Sequence, residues 1–256
     1  MTVTLPAIRV VQHNLHTFRH IWRSYLSSVV GPLLFLIALG AGVGQLIDQR
    51  GGVDGLSYLN FLAPGLMVGV AMQTGALAGF GPILGRIRWD PVYESMLHSP
   101  LRVPDVLLGE LLWIGLRLTA TSSVFLAAMA ALGATSSWWS VLTLPVAVLT
   151  GLSVAAVFAT IAALSPNGYT YDVVSRVVIV PLLLFGGVFF PFDRLPSFVR
   201  VVFDLTPLPH GVMLARELAA GTSMLIPSLG HLAVLVAYLV GGFLLARHAF
   251  QRRLVP

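Results

Sequence analysis

The chain has 256 residues, of which 57% are hydrophobic and only 10% are charged. A soluble domain averages roughly 25% charged residues, so this composition excludes an ordinary soluble domain and indicates one polytopic membrane domain. All fifteen basic residues are Arg, which removes the Lys that a phosphate-binding P-loop or a Schiff-base enzyme requires. The chain has no Cys, so disulfides, thiolate zinc sites and Cys nucleophiles are excluded as well.

Six apolar segments are long enough to cross a membrane as helices, which need about 20 residues each. The fifth segment is short and contains Pro181, which predicts a kink. The sequence therefore predicts an all-α membrane protein. Its spans are expected at residues 25–46, 58–84, 105–133, 140–164, 174–190 and 227–247.

The distribution of Arg predicts which side of the membrane each loop faces. Arg exceeds the acidic residues in the N-terminal segment, the 85–104 loop and the C-terminus, and the other loops are balanced or uncharged. Because cytosolic loops carry the excess of positive charge, both termini are predicted to lie in the cytosol. The same rule accounts for the net charge of +5 beside apolar runs, so we expect no nucleic acid partner.

The first 24 residues are predicted to form an amphipathic helix at the membrane surface rather than a signal peptide. Apolar residues recur at spacings of three and four, with Arg and His on the other side. The apolar stripe contains Ile8, Val11, Leu15, Phe18, Trp22 and Tyr25. His13, His16 and His20 share a face and are able in principle to bind a metal. No carboxylate or Cys is near them, so a face toward lipid headgroups is favoured and we expect no metal site.

The segment RIRWDPVYESMLHSP, residues 86–100, concentrates charge between two long apolar runs. Asp90 is predicted to cap a short helix that opens at Pro91, and Glu94 weakly favours the helix dipole. Ser99 precedes a proline, which ends the helix. The helix has a single apolar face, made of Trp89, Val92, Tyr93, Met96 and Leu97. This face is expected to rest either on the lipid interface and the ends of its own spans, or in a groove of a cytosolic partner, and periodicity leaves both open.

Three charged residues fall inside or near predicted spans, namely Glu110, Arg117 and Arg176. Ionisable groups within a membrane are functional candidates by default. Glu110 and Arg117 are seven residues apart on one face of a helix, so a direct pair is strained and a bridge by water or a partner subunit is expected. Contact with the substrate and a place in a dimer interface are equally compatible with these charges.

Residues 191–226 are predicted to lie outside and are rich in residues that interrupt helices, namely Pro191, Pro196, Pro207, Pro209 and Gly221. Two amphipathic stripes lie between them. They are Leu195, Phe198, Val199, Val202 and Phe203, and then Val212, Ala215 and Leu218. A loop lying on the membrane surface is one interpretation. Two short helices are favoured, since a loop of this length without structure is uncommon.

YESMLHSPLRVPDVLLGELLW (93–113) contains a loop and the start of the predicted third span, and SYLNFLAPGLM (57–67) contains the start of the second. Both stretches resemble the corresponding parts of ABC-2-type transporter permeases. The resemblance is greatest to those that export lipo-oligosaccharide nodulation factors, with daunorubicin-type drug exporters near by. FGGVFFPFDRLP (185–196), LTPLPHGVMLAR (205–216) and the ending FQRRLVP are similar to the C-terminal part of the family. The stretches follow the family's order over most of the chain. One departure is PVYE, where the family often has Gly-Thr before the acidic residue.

The resemblance implies the membrane subunit of an ABC exporter in the bacterial cytoplasmic membrane. It implies an elbow helix (1–24), spans one to five (25–190), an extracellular helical segment (191–226), span six (227–247) and a cytosolic tail (248–256). Two separate ATPase subunits, which would hold the ATP and Mg, and a second copy or a related permease are the implied partners, besides membrane lipid and an amphipathic substrate. This chain itself would hold no cofactor and catalyse no reaction.

The resemblance also assigns residues to parts of the transporter. The short helix at 89–98 matches the coupling helix that docks on the ATPase. The coupling candidates are Trp89, Asp90, Val92, Tyr93, Glu94, Met96 and Leu97. In the extracellular segment, thought to re-enter the membrane in part, the candidates are Phe198, Phe203, His210 and Arg216.

The residues also bear on two other functions. An ion-coupled secondary transporter would use Glu110 and Arg117 in a proton relay, although the two halves of the chain show no inverted repeat. An intramembrane enzyme needs a nucleophile with a base, or metal ligands at metal spacing. The sequence has neither an HExxH nor a GxSxG motif, so the residues do not support this function.

Overall fold

The structure, a computed structural model, describes residues 6–90, 92–98, 100–135, 137–166, 168–222 and 225–254, with all their side chains except those of residues 6, 16–28, 41, 94, 169 and 225. The described residues form helices joined by turns, plus one isolated β-bridge between Val53 and Leu56. The predicted all-helical class is confirmed for this part of the chain.

Eleven α-helices are described, numbered in chain order. The first part of the chain holds α1 (Pro6–Ile37), α2 (Gly44–Asp48), α3 (Tyr58–Arg88), α4 (Val92–Leu97) and α5 (Val103–Ala131). The second part holds α6 (Thr143–Leu164), α7 (Tyr169–Val174), α8 (Val180–Phe185), α9 (Ser197–Asp204), α10 (Pro207–Ala220) and α11 (Leu225–Leu254). Wider π-helical turns, Ala38–Val43 and Ser175–Ile179, join α1 to α2 and α7 to α8.

Within the described part of the chain, five stretches are long and apolar enough to cross a membrane: Val29–Asp48, Tyr58–Arg88, Val103–Ala131, Trp138–Leu164 and Ile226–Leu254. They correspond to predicted spans one to four and six. The fifth prediction, 174–190, needs correction, because its helical segment runs Tyr169–Phe185 and has 17 residues. At 1.5 Å per residue it covers about 26 Å, which is near the lower limit of roughly 17 residues for a membrane-spanning helix. Pro181 is the second residue of α8, close after the π-helical turn and at the position of the predicted kink.

Helix α6 lies at the centre of the bundle and contacts α3, α5, α10 and α11. Small residues make the approach of α3 to α6 possible, because a Cβ placed on Gly75 would lie 2.1 Å from the backbone oxygen of Gly151. Gly242 likewise allows a close approach of α11 to α6, where a Cβ would lie 2.9 Å from that of Ala156. Close approach through small residues is how helices pack in a membrane, where a hydrophobic drive between helices is lacking.

Side-chain hydroxyls of α6 add hydrogen bonds to this packing. Ser153 Oγ donates to the backbone oxygen of Leu235 at 2.8 Å, and Thr160 Oγ1 to that of Gly242 at 3.3 Å. Both acceptors lie on α11, so the two helices are joined by polar contacts as well as by packing.

The N-terminal helix packs on α5 through a face that the predicted stripe did not contain. Ala7, Val10 and Asn14 are buried, and Val10 lies against Gly109 of α5. Ile8 and Leu15, two members of the predicted stripe, are 38% and 45% exposed. The stripe from Phe18 onward lies outside the described side chains, and the helix continues through residue 24 without a break in its hydrogen bonding.

The predicted pair of short helices within 191–226 is present as α9 and α10, which meet at 91°. Helix α10 is inserted among α3, α6 and α11, and its predicted stripe, Val212, Ala215 and Leu218, is buried. Gly221 ends α10 in the left-handed conformation, with φ of 72°. Helix α9 instead keeps large apolar side chains exposed, including Phe198 at 74%.

Candidate functional site

The helix α4 lies in the turn between two long helices, and backbone contacts define how it is held. The N–H of Trp89 donates to the oxygen of Gly85 at the end of α3, and the N–H of Val92 to that of Asp90 at 2.6 Å. On the far side, Arg102 N–H donates to the Asp105 carboxylate, which caps α5. Pro91 and Ser99, the predicted ends of the short helix, lie outside the described residues, but the helix Val92–Leu97 falls between them.

The apolar face of α4 rests largely on the ends of the chain's own long helices. Tyr93 is fully buried, and its ring lies 5.8 Å from that of Phe250 on α11. Met96 and Leu97 pack on the same core while remaining partly accessible. Trp89, by contrast, is 68% exposed, and Asp90 is exposed beside it. The single face predicted from periodicity is therefore divided between a buried anchor and an exposed edge.

A buried charged cluster lies next to this anchor and joins three helices. Arg86 at the end of α3 forms a salt bridge with Glu110 of α5, whose side chain is 4% exposed. Asn14 of α1 accepts a hydrogen bond from Arg86 and donates one to Glu110 at 3.3 Å. Each polar group of Asn14 is thus matched to the opposite charge, and we name Asn14, Arg86 and Glu110 the buried triad.

The hydroxyl of Tyr93 connects α4 electrostatically to the buried triad. Burial raises the pKa of the Tyr93 phenol well above its usual value of 10, and the nearby Glu110 carboxylate adds to the rise while Arg86 opposes it. The hydroxyl makes no hydrogen bond of ordinary geometry with the described part of the chain. A buried polar group in this state is sensitive to small displacements of α4, because desolvation without a partner is costly.

The structure shows contacts of Glu110 that its spacing along α5 did not predict. Its side chain pairs with Arg86 and is hydrogen bonded to Asn14, whereas the spacing had suggested a bridge to Arg117 through water or a partner subunit. Arg117 is partly buried further along α5, and Arg176 is exposed in the π-helical turn before α8. The structure thus brings Glu110 together with residues of α1 and α3, and leaves Arg117 and Arg176 elsewhere.

A second polar site holds α9 and α10 in place. Arg216 of α10 donates hydrogen bonds to the backbone oxygens of Phe61 and Val188 at 2.9 and 2.8 Å, and its guanidinium lies 3.6 Å above the Phe61 ring. Phe203 of α9 contacts the ring of Phe185 at 5.4 Å. The two hydrogen bonds and the stacked planar face make Arg suited to this site, which Lys would satisfy poorly.

His210 links three helices at the same end of the molecule. Its Nε2 lies 2.9 Å from the backbone oxygen of Asp204, which can only accept, so Nε2 carries the hydrogen. Its Nδ1 lies 2.9 Å from Nδ1 of His231 on α11, an arrangement that needs at least one unprotonated nitrogen. The described residues contain no group of three or more metal-ligating side chains in reach of one ion, and the side chains of His16 and His20 lie outside the description.

Residues 8–219 match the family described as ABC-2 type transporter. Nodulation protein J of Rhizobium meliloti (strain 1021) is 32% identical over 91% of this chain and 87% of its own length. Nodulation protein J of Rhizobium leguminosarum bv. trifolii is 33% identical with the same coverage, and the inner membrane transport permease YadH of Escherichia coli (strain K12) is 26% identical over 93% of this chain and 92% of its own. With a family match over most of its length, this chain belongs to the ABC-2 type transporter family of membrane permeases.

Proposed function

We propose that this chain is the membrane subunit of an ATP-driven exporter whose ATP is hydrolysed, with Mg, by two separate ATPase subunits. The observation that carries the proposal is α4, a short helix between α3 and α5 with one edge exposed and the other anchored in the bundle. A docking element of a motor needs both properties, because it must contact the partner and also transmit its displacement. The absence of Lys agrees, since the chain has no P-loop lysine of its own.

The division of the α4 face assigns different tasks to the coupling candidates. Trp89 and Asp90, which are exposed, are proposed to contact the ATPase, together with Val92 and Glu94 on the same segment. Tyr93, Met96 and Leu97 are proposed to position α4 from within. We therefore assign the fully buried Tyr93 to positioning rather than to docking, and its replacement by Asp is expected to disrupt folding.

The buried triad gives a physical route from α4 to the rest of the bundle. Tyr93 touches α11 through Phe250 and lies in the field of Arg86 and Glu110, and these two residues tie α3 and α5 to α1 through Asn14. A tilt of α4 would move all four helices together, because buried salt bridges tolerate little separation of their charges. This is the arrangement expected where ATP-driven movement must reach the helices that enclose the substrate.

The remaining features of the transporter follow from the family and the charge pattern. We propose six spans with an N-terminal elbow helix, both termini in the cytosol of a bacterium, and pairing with a second copy or a related permease. The substrate is proposed to be amphipathic, a lipid-linked glycan, a lipo-oligosaccharide or a hydrophobic drug, by the resemblance to nodulation-factor and drug exporters. Helices α9 and α10 would then stand near the exit.

The ion-coupled alternative finds no support in the geometry around Glu110. A proton-carrying carboxylate needs access to water and to the next group in a relay. Glu110 is 3% exposed and is held by Arg86 and Asn14, whereas Arg117 lies two helical turns away. We therefore retain the ATP-driven exporter.

Two exposed aromatic residues at opposite ends of the bundle provide a matched test. Trp89 is 68% exposed beside α4 and Phe198 is 74% exposed on α9. Trp89→Asp should abolish co-purification of the ATPase from mild detergent and ATP-dependent export, while Phe198→Asp should leave the ATPase bound. If Trp89→Asp retains both the co-purifying ATPase and ATP-dependent export, docking through α4 is refuted. Export that continues without the ATPase but stops when a protonophore is added would favour ion coupling.

A further inference from the structure

A cleft rich in Arg lies beside α4, between the start of α5 and the end of α11. Its volume is about 790 Å³, and Arg102, Arg247 and Arg252 line it together with His248 and Gln251. Among the described side chains that line it there is no carboxylate, and none of the three guanidinium groups forms an ion pair with another side chain that the structure describes. Leu97, Leu101 and Val103 add apolar surface to the lining. The cleft therefore offers several hydrogen-bond donors and three positive charges beside apolar side chains.

A second, apolar groove continues from the cleft along the same two helices. It has a volume of about 600 Å³ and lies between α5, α6 and α11. Its lining is aliphatic and aromatic apart from Gly115 and Thr119. The lining residues on α5 begin at Leu108, four residues after Pro104 of the cleft, and those on α11 end at Phe243, four residues before Arg247. Residues four apart lie on one helix face, so cleft and groove share a single seam.

The dimensions of the seam match one leaflet of a bilayer. From Pro104 to Thr119 it extends about 22 Å at 1.5 Å per residue, and half of the hydrocarbon layer is about 15 Å deep. Arg247 stands about 33 Å along α11 from Leu225, close to one full hydrocarbon thickness from the start of that helix. The Arg residues of the cleft thus fall at the level of the lipid headgroups when the apolar groove lies within the hydrocarbon.

We propose that this seam binds an anionic phospholipid, with its phosphate in the cleft and an acyl chain in the groove. Guanidinium groups bind phosphate oxygens in pairs of parallel hydrogen bonds, and basic pockets between membrane helices at the cytoplasmic side suit anionic headgroups. An acidic surface of a protein partner would account for the Arg residues but not for an apolar groove that continues into the membrane. Bound lipid would hold the start of α5 and the end of α11 together next to Tyr93 and Phe250. It would thereby stabilise the packing of α4 on the bundle.

The headgroup part of the proposal is tested with the full chain in nanodiscs of equal parts phosphatidylglycerol and phosphatidylcholine. After transfer to detergent, native mass spectrometry measures the ratio of the two lipids retained. Wild-type protein should retain phosphatidylglycerol preferentially. Arg247→Gln combined with Arg252→Gln should reduce that preference by about thirtyfold, from about 1 kcal/mol per basic residue near the surface. The matched control removes the same charge outside the cleft, as Arg9→Gln with Arg253→Gln, and should keep the preference.

The acyl-chain part is tested by filling the groove. Gly115→Leu places a side chain in the groove, where a Cβ meets only ordinary contacts at 3.5 Å or more. The control Gly241→Leu adds the same side chain on α11 at a residue that does not line the groove and has nothing within 4 Å of its Cβ position. Gly115→Leu should reduce retention of both lipids, and Gly241→Leu should not. Should any variant fail to fold, the wild-type chain alone must show a higher melting temperature with phosphatidylglycerol than with phosphatidylcholine.

Three results would overturn the proposal. The first is an equal loss of preference in the cleft variant and its control, which would indicate general surface charge. The second is no preference in the wild-type chain. The third is a cleft variant that keeps its lipid preference but loses a bound ATPase, which would make the cleft a protein contact.

Discussion

The buried triad leads to a prediction about how charge is balanced between α3 and α5. The Arg86 and Glu110 side chains are 19% and 4% exposed and pair directly, with Asn14 hydrogen bonded to both. Removing one member of a buried ion pair costs about 3–5 kcal/mol, since the other charge is left without its partner. Arg86→Gln and Glu110→Gln should therefore each destabilise the chain by about 3 kcal/mol, and the double variant should cost less than the sum of the two.

Wild type, the two single variants and the double variant form a double-mutant cycle. Their free energies of unfolding are measured on the detergent-solubilised chain by tryptophan fluorescence. The expected coupling between the two substitutions is about 2 kcal/mol, within the range for residues in direct contact. Arg88→Gln is the matched control on the same helix. Its guanidinium is hydrogen bonded to the backbone oxygen of Ser165 near the surface, so its loss should cost about 1 kcal/mol. Additive effects of Arg86→Gln and Glu110→Gln, or single effects no larger than that of Arg88→Gln, would refute a buried, coupled pair.

Three further predictions concern packing, ionisation and the Arg site. Gly75→Ala should destabilise by about 1–3 kcal/mol, because its Cβ would collide with the backbone of α6, whereas at Gly85→Ala the nearest atom is 3.9 Å away and the change should be neutral or stabilising. The raised pKa of Tyr93 contributes stability that is fully present below about pH 10 and is lost as pH rises further. Tyr93→Phe should therefore show a smaller loss of melting temperature above that pH than wild type, and an equal loss would contradict the burial of the phenol. Arg216→Lys should lower the unfolding free energy by about 2 kcal/mol, since two hydrogen bonds and a stacked ring are lost. The control Arg200→Lys, at an exposed position, should have little effect. Equal effects of the two substitutions would contradict the contacts described for Arg216.

Much of the helical layout was accessible from the sequence because long apolar runs have few alternatives in a membrane. The second, third, fourth and sixth spans lie close to their predicted positions. The fifth was misplaced because apolar composition continues through Gly186 and Val188 after the helix has ended at Phe185. Composition reports which residues tolerate lipid, whereas the end of a helix depends on local backbone conformation, here a left-handed Gly187 with φ of 80°.

Periodicity identified faces but not the surfaces that they contact. The apolar side of α4 was recognised, yet its rotation toward Phe250, which buries Tyr93 and exposes Trp89, depends on how α11 ends. On α1 the packing face is Val10 and Asn14, selected by the space above Gly109 on another helix. Such pairings are properties of the tertiary arrangement and leave no periodic signal within one segment.

The partner of Glu110 was within reach of sequence reasoning. A short connection between two long helices makes them antiparallel neighbours, so residues near the connection, such as Arg86 and Glu110, lie side by side. The spacing along α5 favoured Arg117 instead, which lies two turns further along the same helix. Asn14 carries no charge and stands nearly a hundred residues away, so only the packing of α1 on α5 reveals it.

Docking of an ATPase at α4 is the central claim, and the Cys-free chain allows it to be tested by cross-linking of single Cys variants. Trp89→Cys and His98→Cys place a thiol at the exposed edge of α4, and Ser197→Cys places one on α9. With a short bifunctional reagent in native membranes, we predict cross-links to an ATPase subunit from positions 89 and 98 and none from position 197. Cross-linking of the ATPase at position 197, or its absence at both α4 positions in a membrane where the ATPase co-purifies, would contradict the claim.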